Sequence, residues 1–170
     1  MAKETRKQQI IDAAIAVFAK QGYYKTTTAD IAQAVGITQP YVFHFFKSKE
    51  ELFVAVLQQS AERIAGVFRA VEAPGEQLID QMGAAFYVLL ERHRDETLLS
   101  MQAFTTAEPL IQQEVKEIFA HIHQVVREKF ERAQIPKPGF QASCFIGLGM
   151  TAVMSEVLEL LELSPYCEEG

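Results

Sequence analysis

Residues 36–52 read GITQPYVFHFFKSKEEL, and the fold turns on how this stretch is read. A glycine, a polar pair, a proline and a knot of aromatics stand between two segments whose apolar residues recur at helical spacing. Gly36 permits the positive backbone dihedral that closes a helix abruptly. Thr38 can cap a new short rod running from Gln39 to Phe46, and Pro40 falls in its first turn, where a missing backbone donor costs nothing. Ser48 and Glu51 then read as a capping box that opens a long helix. A helix that ends and another that begins so close together have helix-turn-helix spacing. A generic corner between two helices in an all-helical protein has the same local signature, and periodicity alone leaves both readings open.

Upstream, a first helix is expected from about Glu4 to Gln21, burying Ile10, Ala13, Ala14, Val17 and Phe18, with Gly22 as a left-handed stop. Thr27 followed by Asp30 reads as a less clean capping box starting a short helix through Ile31, Ala32 and Val35. Downstream the long helix should run from Lys49 to Val71. Further helices are expected at Gln77–His93, Glu96–Phe104, Pro109–Ala133 and Phe140–Leu161, with SPYCEEG as a frayed end. No alternation of strand type appears, so the fold class is all-α, with a three-helix amino-terminal bundle over residues 1–47 and a helical body over 48–170.

Charge follows the same division. Residues 1–49 carry seven basic side chains (Lys3, Arg6, Lys7, Lys20, Lys25, Lys47, Lys49) against Glu4, Asp12 and Asp30, a surplus of four. The remainder therefore carries −10 of a net charge of −6. A basic head on an acidic body suits contact with a polyanion at one end, although charge blocks also arise on solvated faces. The two cysteines, Cys144 and Cys167, lack metal or redox spacing. No apolar run approaches the length of a membrane span and the amino terminus lacks the pattern of a signal peptide, so a cytoplasmic protein without membrane contact is expected.

On the second helix of the motif, Val42 and Phe46 lie four apart and can face Phe18, Ile31 and Val35, which turns Gln39, Tyr41 and His44 elsewhere and leaves Phe43 and Phe45 on the flanks. A glutamine amide can make two hydrogen bonds to adenine, and an apolar edge can touch a thymine methyl. Lys47 and Lys49 stand at the positive end of the long helix, which favours phosphate.

Residues 6–52 resemble the DNA-binding region of the TetR family of bacterial transcriptional regulators. The resemblance lies in IIDAAIAVFAKQGYYKTTTADIAQAVGIT followed by PYVFHFFKSKEEL, and it covers about the first third of the chain. It implies that Thr27, Thr38 and Lys49 anchor the DNA backbone and that Gln39, Pro40 and Tyr41 occupy base-reading positions. Phe43 stands where the family usually has a tyrosine whose hydroxyl meets a phosphate. It can instead pack on sugar or a thymine methyl, with Tyr41 or His44 taking over the polar contact. The partners implied are a double-stranded DNA operator, a second copy of the chain and a small-molecule effector. The function implied is a repressor that an effector releases from a palindromic site, with activation an alternative.

A dimer is also expected because one such motif reads few base pairs, and paired motifs enter successive grooves about 34 Å apart. Gly147, Gly149 and Ala152 on the last helix would let a partner helix approach, together with the helix from Pro109. An apolar effector pocket would draw on Phe68, Met82, Phe86, Leu90, Met101, Phe104 and Phe119, with His93 as a polar contact. His121 and His123 point in different directions on one helix, so no metal site is expected, and no cofactor is implied. Catalysis is disfavoured by the lack of a phosphate loop, an activated nucleophile or a ligand cluster. The rival reading is a helical oligomeric interaction module without DNA binding.

Overall fold

The computed structural model describes residues 2–164, apart from the side chains of residues 2, 3 and 101. Cys167 and all but Ser164 of the expected frayed end therefore lie outside the described residues. Among the described residues eight α-helices follow one another: α1 (Ala2–Lys25), α2 (Thr28–Val35), α3 (Gln39–Val42), α4 (Lys49–Ala70), α5 (Gly75–Arg92), α6 (Arg94–Gln102), α7 (Pro109–Arg132) and α8 (Pro138–Leu158). Short 3-10 turns cover Ala103–Thr105 and Leu161–Leu163. No strand occurs among the described residues, and the fold is all-α.

Helix α1 departs from expectation at both its end and its face. Gly22 has the anticipated positive φ of 76° but an extended ψ of 164°, so it breaks the helix without stopping it. A further turn follows to Lys25 because Tyr23 is drawn into the core, its ring 5.0 Å from that of Phe53 and 6.2 Å from that of Phe18. The buried face is Ile10, Ile11, Ala14, Ile15 and Phe18, while Ala13 and Val17 are only half-buried. That rotation follows from three partners, since α1 packs on α2, α4 and α6.

The capping boxes reverse their expected order of quality. Thr27 and Asp30 form the complete box, the Asp30 N–H donating to Thr27 Oγ1 (3.2 Å) and the Thr27 N–H to Asp30 Oδ2 (2.8 Å). At α4 the Glu51 N–H donates to Ser48 Oγ (3.1 Å), but the Glu51 carboxylate accepts from the N–H of Lys47, one residue too early for a reciprocal box. Gly36 closes α2 in the left-handed conformation, and the Ile37 N–H reaches the Ala32 carbonyl (3.0 Å), which satisfies orphan acceptors of the last turn.

The rod expected from Gln39 to Phe46 is shorter as a regular helix. Only Gln39–Val42 is α-helical, and tighter turns carry the chain on, with the His44 N–H bonded to the Tyr41 carbonyl and the Phe45 N–H to that of Val42. Four successive residues from Phe43 to Phe46 have ring side chains that restrict rotamers against the preceding turn. The inward ones still decide the placement: Val42 and Phe46 are buried in the same core as Phe18, Ile31 and Phe53.

Helix α4 is the central strut, packing on α1, α5, α6 and α7. Its buried positions Leu52, Phe53, Val56, Leu57, Ile64 and Phe68 repeat at three and four residues. Each such side chain fully buried contributes about 1.5–3 kcal/mol. Helix α8 corrects two expectations. Its apolar window reaches a mean hydropathy of 1.3 over 18 residues, long and apolar enough by composition to cross a membrane, yet only 28% of that window is buried. Its small residues also divide: Ala152 is buried and Gly149 faces Phe86 at 3.6 Å, whereas Gly147 is exposed. The glycine and alanine stripe thus serves packing within the chain more than an outer face.

Candidate nucleic-acid interface

Helix α3 and its flanking turns display one cluster of side chains. Thr38, Gln39, Pro40, Tyr41, Phe43, His44 and Lys47 are all exposed, anchored from beneath by Val42 and Phe46. Tyr41 lies edge-on to both His44 (5.7 Å) and Phe45 (5.5 Å), so three rings brace one another at this surface. Thr38 caps α3 by backbone geometry alone, without a side-chain cap bond. Its hydroxyl therefore remains a donor that a phosphate oxygen can accept.

Two expected phosphate contacts are placed differently. The Thr27 hydroxyl donates to Asp30 Oδ2 (2.7 Å), which directs it into the cap beside a carboxylate. These hydrogen bonds from the Thr27 side chain and backbone hold the Asp30 carboxyl below its ordinary range. Lys49 folds back onto the end of α1, its Nζ donating to the Tyr23 carbonyl (2.9 Å) and lying 4.3 Å from the Tyr23 ring centroid. The lysine completes the packing between head and strut. Burial, with Glu50, Glu108 and Tyr24 adding smaller effects, pushes the Tyr23 phenol up to about 12.

Thr28 was not anticipated. Its buried hydroxyl accepts a hydrogen bond from Gln39 Nε2 (2.8 Å), across the turn of the motif. The run Thr26-Thr27-Thr28 was the available signal, but only tertiary structure tells which hydroxyl caps, which bonds back to Gly22 and which meets Gln39.

Behind the head lies an apolar cavity of about 70 Å³ that opens to solvent, walled by α4, α5, α6, α7 and α8. Of the residues proposed from sequence, Phe68, Phe86 and Phe119 line it. Met82 and Leu90 are packed in the core instead, and Phe104 is exposed, edging onto Phe119 at 4.8 Å. The Met101 side chain lies outside the described residues. Sequence reasoning missed Ile64, Ile118 and Ile122 and the whole contribution of α8, including Phe145 and Met150, because that helix had been assigned to a partner.

His93 sits outside the cavity in a polar cleft near α1. There Arg63 Nη1 donates to Glu96 Oε1 (2.6 Å) and also meets His93. Glu96 Oε2 is buried without a hydrogen-bond partner. Burial raises the Glu96 carboxyl above its ordinary value and Asp12 adds to this, while Arg63 and His93 oppose it. Among the described residues no cluster of His, Cys, Asp or Glu could hold a metal.

The fold and the motif define an all-α helix-turn-helix protein with an internal apolar cavity. Residues 10–56 match the model for bacterial regulatory proteins of the tetR family. The HTH-type transcriptional repressor Rv1474c of Mycobacterium tuberculosis is 40% identical over 62 residues, covering 36% of this chain and 33% of that protein. The HTH-type transcriptional regulator TtgR of Pseudomonas putida is 39% identical over 90 residues, covering 53% and 41%. The match to these curated relatives thus spans less than half of their length. A transcriptional regulator FadR from Bacillus subtilis, solved in complex with stearoyl-CoA, superposes with a TM-score of 0.71 at 18% identity, over 89% of this chain and 88% of that one. That likeness extends the shared fold through the body.

Proposed function

We propose that the chain is a DNA-binding transcriptional regulator, acting as a dimeric repressor that a small apolar effector releases from a palindromic operator. The observation that carries this is the exposed cluster of Gln39, Tyr41, Phe43 and His44 standing on the buried Val42 and Phe46. An amide and aromatic edges on a short helix are groups that read base edges in the major groove. Residues 1–47 form the reading head and residues 48–170 the regulatory body, in a cytoplasmic protein. The match of residues 10–56 to the tetR family model and the relative named as a repressor support the reading.

Among the described residues, none lining the cavity is ionisable. Its polar groups are Thr97 and Ser100, whose hydroxyls donate to the carbonyls four residues earlier, those of His93 and Glu96. An effector held there is an apolar body such as an alkyl or acyl chain, with any charged part outside, and the stearoyl-CoA bound by the structural relative from Bacillus subtilis is of that kind. Release follows if the effector prefers a body conformation in which α4 carries the heads beyond groove spacing, since a ligand shifts an equilibrium only by its differential affinity. Moving occupancy from nearly full to nearly empty needs about 5.5 kcal/mol of preference.

The test is selection of bound duplexes from a random library at low salt. Two inverted half-sites with centres about one helical turn apart support the proposal. Retention no better than that of an acidic control protein overturns it in favour of a helical interaction module.

A further inference from the structure

We propose that Thr28 is a specificity-positioning residue, whose hydroxyl fixes the Gln39 carboxamide in the orientation that reads adenine; this rests on the DNA-reading role proposed above. A primary amide has two N–H donors and a carbonyl acceptor. A bidentate contact to adenine uses the carbonyl, which accepts from N6, and one N–H, which donates to N7. The second N–H finds no partner on that base edge.

In this chain one N–H is taken up within the protein. Gln39 Nε2 donates to Thr28 Oγ1 at 2.8 Å, and Thr28 is 7% exposed while Gln39 stays exposed. The bond leaves one N–H and the carbonyl for a base. With Nε2 seated on the hydroxyl, the order of donor and acceptor on the amide is set. Without that constraint a glutamine amide turns over and presents its donor and acceptor in either order. Thr28 lies in the first turn of α2, whose position is fixed by the Thr27–Asp30 box and by the buried Ile31 and Ala32. Gln39 is thus held by a rigid neighbour before any DNA arrives, and the ordering of a long flexible side chain is completed in the free protein. Thr28 itself is buried and touches no base; it acts through Gln39.

The test compares full-length wild type, Thr28→Val, Thr28→Ser and Gln39→Ala by the same library selection and by affinity for selected and scrambled duplexes. Valine keeps the shape of threonine and removes the acceptor. Gln39→Ala identifies the base pair that Gln39 reads. At that pair Thr28→Val should lower the preference for adenine by roughly fivefold or more, the lower end of what a bidentate contact discriminates. Binding to scrambled duplex and the salt slope should stay as in wild type, and Thr28→Ser should restore the preference.

A Thr28→Val protein with unchanged base preference overturns the inference, as does one weakened equally on all sequences. Failure of wild type to bind any duplex overturns the parent reading first, and this one with it. A readout without DNA guards against misfolding: nitrogen relaxation of the Gln39 side-chain amide should report a rigid group in wild type and Thr28→Ser and a mobile one in Thr28→Val. Equal mobility in all three overturns the inference.

Discussion

A lysine at the start of a helix beside a DNA-reading motif invites assignment to phosphate, but Lys49 shows how tertiary structure redirects a charge. Its ammonium satisfies the Tyr23 carbonyl and lies over the Tyr23 ring, so its first contribution is to stability. Lys49→Ala should lower the unfolding free energy by about 1–2 kcal/mol in urea titration, the range of a charged hydrogen bond with a cation–π contact. On the function proposed above, the exposed Lys47 is the better candidate for a phosphate contact. Lys47→Ala should weaken binding to all duplexes alike and reduce the slope of log affinity against log salt by about 1. Tyr23 supplies a pH signature of the same junction. Its phenol is pushed up to about 12 from its ordinary value of about 10, so between these values the unfolded chain has released a proton that the folded chain retains. Stability should therefore fall as pH rises from about 10 to about 12. Tyr23→Phe should flatten that limb of an alkaline denaturation series, and an identical limb in the variant would refute the assignment.

At the scale of elements, the helices were legible and their ends largely so, because capping residues and glycines act locally. Lys49–Ala70, Gly75–Arg92, Pro109–Arg132 and Pro138–Leu158 fall within a few residues of the expected spans. What the sequence could not reveal was set by packing at a distance. The turn beyond Gly22 exists because Tyr23 finds Phe53, and Gly149 and Ala152 face inward because α8 closes a cavity. The candidate site was legible as a motif, since an exposed cluster above Val42 and Phe46 follows from four-residue spacing, but the bonds of Thr27, Thr28 and Lys49 cross between elements and carry no local signal. Two glycines sharpen this difference. A Cβ on Gly66, inside α4, meets nothing within 4 Å, whereas one on Gly75 lies 2.7 Å from the carbonyl oxygen of Ala133. Gly66→Ala should stabilise by about 0.5–1 kcal/mol through helix propensity. Gly75→Ala should destabilise by about 1–3 kcal/mol, because it forces α5 away from the end of α7. Thermal denaturation of both variants checks the pair, and equal shifts would refute it.

For the whole molecule the decisive question is what covers α8. Only 28% of its most apolar window is buried within the chain, and Leu148, Met154 and Leu158 are exposed on it, the last two four residues apart, with Gly147 also exposed. An apolar strip of this length is better suited to another protein surface than to water. A second copy can supply a self-complementary face about a two-fold axis, and the palindromic half-sites proposed above require that same symmetry. The two requirements are linked, so one substitution tests both. Leu148→Glu places a carboxylate on each copy near the shared axis, where desolvation and like-charge repulsion act together. Sedimentation velocity should show wild type as a dimer and Leu148→Glu as a monomer at micromolar concentration. Affinity for the full operator should fall steeply in the variant, because the second head no longer binds at the high effective concentration that tethering provides. The half-site preference, proposed above to reside in Gln39 and its neighbours, should stay unchanged. Gln58→Glu adds the same charge at an exposed position on α4 and should leave assembly and operator affinity as they are. If Leu148→Glu remains a dimer with full affinity, the copies meet through another surface, and the exposed strip on α8 must be explained by a different occupant.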